Sequence, residues 1–215
     1  MNRINKLKTD SFVLVTVPHA VCPQQQNGHP CDYRSAKVAQ ILKSILKANG
    51  IPYRIITSTV LRSNVDLNRD IKQQPINKDS VSWKIFNTKI QNTINANSQK
   101  NILLLDLHSF DKIDSFCKKG ETDCLITILD IYNKKRMEIY DIAKVLSKQL
   151  NFTVNVGKGG TNYIINTYGN INVSNNKIVY PMLLEFFEDN TLTNAQIGTF
   201  LNLLLSDLFI SKIFR

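Results

Sequence analysis

Long hydrophobic runs are missing from this chain of 215 residues. None approaches the ~18 consecutive apolar residues that a membrane-spanning helix needs, so no membrane partner is expected. Cysteine is scarce, with four residues, Cys22, Cys31, Cys117 and Cys124. A chain this long builds its core without covalent staples, and a disulfide scaffold is not expected. Glycine is scarce too, at eight residues, and no strand is followed by a phosphate-cradling glycine loop of either common type. Internal repeats and low-complexity linkers are absent. Acidic residues are outnumbered, 17 against 27 lysines and arginines, for a net charge of +10. That balance suits acidic partners. The bases are scattered, however, with no run longer than Lys134-Lys135-Arg136, and no aromatics interleave with them. A solvated basic surface is the simpler reading, and nucleic acid is not indicated. Only three histidines occur, His19, His29 and His108.

What is present fits a soluble α/β domain over residues 1–215, with the first ten flexible. Hydrophobic content is 43% and charged content 20%, both ordinary for a globular protein. The N-terminus faintly imitates a signal peptide, with Arg3, Lys6 and Lys8 before Phe12 to Val17. Its apolar core of about six residues is too short for that role. It is read as the first strand, and a cytoplasmic location is expected. Strands are expected at 12–17, 53–57, 101–108, 124–131, 152–156 and 179–187. Helices are expected after an Asp32 N-cap, over 80–95, 134–150 and 194–209. The alternation predicts a central, mostly parallel or mixed sheet with helices on both faces. Gly157 to Gly169 reads as a flap or binding loop.

Two of the three histidines end apolar runs, Phe12 to His19 and Ile102 to His108. Each reads as a buried strand delivering an imidazole to a sheet edge, and in open α/β sheets ligands bind beyond the carboxyl ends of the strands. A catalytic zinc site uses three protein ligands and leaves a fourth position open. His19 and His108 supply two. Cys22, three residues after His19, is the first candidate for the third, with Asp32 and His29 as alternatives. Asp106, two residues before His108, is a ligand or an orienting carboxylate. Glu185 ends the run Met182-Leu183-Leu184, where a carboxylate is costly to bury without a task. Beside a metal it would serve as general base and then as proton donor. Arg69 fits a clamp on a substrate carboxylate, with Asn68 adding a donor. Tyr163 and Tyr168 are candidate hydrogen-bond donors to the substrate.

Val17-Pro18-His19, Val65-Asp66-Leu67-Asn68-Arg69, Asp106-Leu107-His108-Ser109, Gly159 to Gly169 and Leu184-Glu185 occur in this order along the chain. Together they resemble the N-formylglutamate amidohydrolase family, which is related in fold to the zinc carboxypeptidases. The resemblance implies one zinc ion with His19 and His108 as ligands. It also implies Arg69 with Asn68 on the substrate, and Glu185 as the catalytic carboxylate. Zinc carboxypeptidases carry glutamate where Cys22 stands here. The expectation is a zinc-dependent hydrolase of an amide or peptide bond in a small substrate bearing a carboxylate. Two alternatives compete with it. One is a degenerate binding protein on the same fold, engaging acidic partners or nucleic acid. The other is a cysteine hydrolase with Cys22 as nucleophile and His19 or His29 as base.

Overall fold

Runs such as Val13-Leu14-Val15 and Leu103-Leu104-Leu105 have no polar face, so strands made from them must be covered on both sides. The computed structural model, which describes residues 11–22, 31–74, 79–110, 124–130, 136–158, 162–169, 177–189 and 191–206, places them at the middle of a six-stranded sheet. The strands are β1 (Ser11–Val17), β2 (Tyr53–Thr57), β3 (Asn101–Phe110), β4 (Cys124–Asp130), β5 (Thr153–Lys158) and β6 (Ile178–Phe187). Their order is β2-β1-β3-β6-β4-β5. All neighbouring pairs are parallel except β4–β6, so the sheet is mixed.

Among the described residues five α-helices cover it: α1 (Ser35–Ala48), α2 (Ser80–Ala96), α3 (Arg136–Leu150), α4 (Tyr163–Gly169) and α5 (Asn194–Leu205). Helices α1, α3 and α5 share one apolar cluster with Val13, Val15, Leu103, Leu105 and Leu184. Helices α2 and α4 pack against the other face, on Leu14, Ile102, Leu104 and Val179. Helix α1 ends at Gly50, whose φ of 62° favours a residue without Cβ. Helix α5 starts on a capping box between Thr193 and Gln196.

The chain leaves β1 for β2 on one side and then crosses back to β3 on the other. The crevice at the carboxyl ends of β1 and β3 is therefore a switch point of the topology. His19 follows the end of β1. His108 and Glu185 lie directly opposite one another on β3 and β6.

Several expectations change. Asp32 does not cap α1: Arg34 holds the N-cap position without a side-chain bond, because the Asp32 carboxylate is drawn to the histidines. The supposed flap is in part α4, since Ile164, Ile165 and Tyr168 bury one helical stripe. The first ten residues, the 111–123 loop with Cys117, His29, Gly159, Gly160 and the end of the last predicted helix lie outside the described residues.

Cys22 and Cys31 form a disulfide, and Cys124 is disulfide-bonded as well. Such bonds persist in oxidising surroundings and are rare in the cytosol. They weigh against the cytoplasmic placement expected from the sequence. Among the described residues, no helix is long and apolar enough to cross a membrane.

Leu105 is wholly buried on the central strand, whereas Val145 is 40% exposed on α3. Leu105→Ala should lower unfolding free energy by about 2–5 kcal/mol, and Val145→Ala should change it by less than about 0.5 kcal/mol. Urea denaturation midpoints at constant slope read both.

Candidate metal centre

Strand alternation sends Thr16, Asp106, His108 and Glu185 to the same face of the sheet as Leu14, Leu104 and Val179. Beyond the strand ends, His19 and Asp32 close over that row. The His19 and His108 ring centroids lie 5.0 Å apart, inclined by 72°. Between them sits Asp32. Its Oδ2 accepts from His108 Nδ1 at 2.6 Å and lies 3.1 Å from His19 Nδ1. One oxygen thus faces the same ring atom of both histidines. The three residues are all buried, and their ligand atoms lie within 4.8 Å of one another.

The opposite nitrogen of each ring is also held. His19 Nε2 lies 2.8 Å from Asp66 Oδ1, and His108 Nε2 lies 3.0 Å from Asp106 Oδ2. Asp106 is itself fixed by the Thr16 hydroxyl at 2.6 Å and by the Asn162 amide at 3.0 Å. Two imidazole nitrogens and a carboxylate, with a second carboxylate behind each ring, are the donor set of a three-ligand zinc site. The residues present therefore fit the ion.

The charges in this cluster set one another. Burial pushes the Asp32 carboxyl upward, but His108 and His19 outweigh it and hold it well below the usual carboxylate range. Asp66 follows the same pattern, burial being overcome by the His19 contact and by Arg62. For His108, burial works to lower the pKa, and the Asp106 and Asp32 carboxylates carry it well above the ordinary imidazole value.

Glu185 differs. Burial raises its carboxyl to about 7, with the nearby His108 only partly opposing. Its carboxylate makes no hydrogen bond or ion pair with any described residue, although it is only 6% exposed. A buried acid without a partner is rare enough in folded proteins to demand an explanation.

The rim carries guanidinium groups. Arg62 lies 3.3 Å from Asp66 and 3.6 Å from Asp32. Arg69, nearly half exposed, lies 3.9 Å from Asp66. Trp83 donates its indole N–H to the Arg69 carbonyl at 2.9 Å and leans on Tyr163, ring centroids 5.4 Å apart.

Of the expected site residues, His19, His108, Asp32, Glu185 and Arg69 come together here, and Tyr163 stands at the same rim. Cys22 does not join them as a ligand. Its sulfur is bonded to Cys31, and a disulfide sulfur is neither the thiolate that zinc requires nor a nucleophile. The cysteine-hydrolase reading falls with it.

Asn68 is present but turned inward: its amide nitrogen lies 2.9 Å from His108 Nε2, and its oxygen accepts from the Ile164 N–H. Tyr168 is buried, and its hydroxyl is spent on Asn87 at 3.0 Å, so it is not a donor to substrate. Arg62, Asn162 and Thr16 were not singled out from the sequence. Asp66 stands within the string Val65 to Arg69, which gives it no separate signal in the sequence.

No family model matches the chain, and neither does any curated protein. Among solved structures, the fold is similar to that of gene product Atu2144 from Agrobacterium tumefaciens. The TM-score is 0.64 at 14% identity, over 98% of this chain and 92% of that one. It is also similar to N-formylglutamate amidohydrolase from Ralstonia eutropha JMP134. There the TM-score is 0.59 at 10% identity, over 94% of this chain and 93% of that one. At such identities the likeness is one of fold.

The shifts give a signed expectation for the metal-free protein. Asp32 and Asp66 are depressed on folding, so their contribution is full above pH ~4 and is lost as pH falls below it. His108 is raised, so its contribution is full below pH ~6.5 and fades as pH rises toward its folded value. A cation must displace the His108 proton, so its binding strengthens with pH. Calorimetry should show the metal-free melting temperature dropping below pH ~4. Added zinc should raise that temperature more at pH 8 than at pH 5.5.

Proposed function

We propose that this chain is a zinc-dependent hydrolase of an amide bond in a small substrate bearing a carboxylate, such as an N-acyl amino acid. The observation that carries the proposal is the convergence of His19 Nδ1, His108 Nδ1 and the Asp32 carboxylate. Asp32 takes the ligand position first expected of Cys22. Asp66 and Asp106 would fix the rings from behind, keeping a lone pair of each directed at the ion. An ion held there supplies Lewis-acid polarisation of the scissile carbonyl and brings water toward a pKa of ~7.

Glu185 is the proton carrier. Its unpartnered carboxyl, raised to about 7 by burial, is tuned to accept a proton from the attacking water. It then delivers that proton to the leaving amine nitrogen. Arg69, exposed at the rim, offers a planar pair of donors to the substrate carboxylate. The Tyr163 and Trp83 rings beside it form a wall for the apolar part of the substrate. Asn68 is turned toward the His108 ring and α4 rather than toward the substrate. The only partner this scheme requires is the substrate, with no nucleic acid or membrane.

Metal analysis of purified protein should find about one zinc per chain. His108→Ala should lose the metal. Glu185→Gln should keep it and lower kcat on N-acyl amino acids by a factor of about 10²–10⁴. A Glu185→Gln protein as fast as the wild type would remove the assigned role. A metal-free wild type that binds nucleic acid with steep salt dependence would favour the binding-protein alternative.

A further inference from the structure

The Cys22–Cys31 disulfide joins the two stretches of chain that bring two of the three ligands together. Cys22 lies three residues after His19, and Cys31 immediately precedes Asp32. The bond spans a sequence separation of nine. Asp32 is outside α1, which begins at Ser35, and its carbonyl accepts from the Ser35 N–H at 3.1 Å and from the Ser35 hydroxyl at 2.8 Å.

On its C-terminal side the chain is well anchored. The Tyr33 N–H donates to Glu188 at 2.8 Å, and the Arg34 guanidinium reaches the Glu188, Asp189 and Leu192 carbonyls. On its N-terminal side two ties are seen among the described residues. One is the hydrogen bond from the Asp32 N–H to the His19 carbonyl at 3.1 Å. The other is the disulfide. The Cys22 segment is itself seated by a bridge between Val21 and Leu61, next to Arg62.

We infer that the Cys22–Cys31 disulfide is a positioning element for the metal centre: it holds the Asp32 carboxylate against His19 and so sets the affinity for the ion. The inference rests on the metal-centre reading above. A ligand held in place before the ion arrives loses little freedom on binding, and groups that orient ligands commonly carry 10- to 100-fold in metal affinity. Ion occupancy then depends on the redox state of the surroundings. A dithiol reductant opens the bond by thiolate attack and leaves as its own disulfide. Cys22 and Cys31 take up two electrons and two protons.

The test is a double-mutant cycle read by zinc affinity, measured by competition with a chromophoric chelator. Cys22→Ser/Cys31→Ser should weaken zinc binding about 10- to 100-fold. In an Asp32→Ala background, where the two histidines hold zinc more weakly and the titration is read at raised metal concentration, the same pair of substitutions should change affinity by less than about threefold, because the disulfide acts through that carboxylate. Cys22→Ala/Cys31→Ala gives the same comparison with a different replacement and leaves the Cys124 disulfide intact.

Equal losses with and without Asp32 would overturn the inference, since the bond would then act on the site as a whole. So would unchanged affinity in the disulfide-free protein. A wild type that binds no zinc would overturn the metal-centre reading, and the inference with it.

Discussion

One carboxylate oxygen, Oδ2 of Asp32, faces the Nδ1 atoms of both His19 and His108. The rest of the site is arranged around that shared contact. His19 arrives just past β1 and His108 on β3, strands that are neighbours in the sheet but far apart in the chain. Only the crossover that places β3 beside β1 brings the rings together. Burying so many charges in one place is unfavourable unless each is paired. Here nearly every one is. Asp66 and Asp106 stand behind the rings, Thr16 and Asn162 hold Asp106, and Arg62 lies against Asp32 and Asp66. Glu185 is the exception within the described residues.

The two rows of the sheet explain why this cluster survives in an apolar molecule. Alternation along β3 sends Leu103, Leu105 and Leu107 to the cluster shared with α1, α3 and α5. Asp106 and His108 take the other face, together with Ile102 and Leu104. Polar residues are confined to the last turns of that row, where the strands open toward the crevice. The apolar lower part holds the sheet, and the upper part carries the polar cluster.

The α/β alternation and the sheet with helices on both faces were legible in the sequence, because buried strands announce themselves as unbroken apolar runs. The histidines and Glu185 were legible for the same reason: a polar group ending such a run stands out. Asp32 was visible only as an alternative, since its carboxylate resembles an ordinary helix cap until the histidines are seen beside it. Cys22 was misread because a spacing of three from His19 suits a ligand as well as it suits a loop-closing cysteine. Pairing depends on backbone geometry that spacing does not carry. Tyr168 was read as a loop donor because the glycines before it obscured the helical stripe of Ile164, Ile165 and Tyr168. Thr16 and Asn162 had no local signal, since each matters only through Asp106, distant in the chain; Arg62 matters through Asp66 close by and Asp32 far off.

The guanidinium of Arg62 beside Asp32 and Asp66 gives the cluster a resident positive charge of its own. Part of the negative charge in the crevice is therefore answered by the polypeptide itself. A preparation judged sound by its circular dichroism or its gel-filtration profile therefore reveals nothing about whether a cation occupies the crevice.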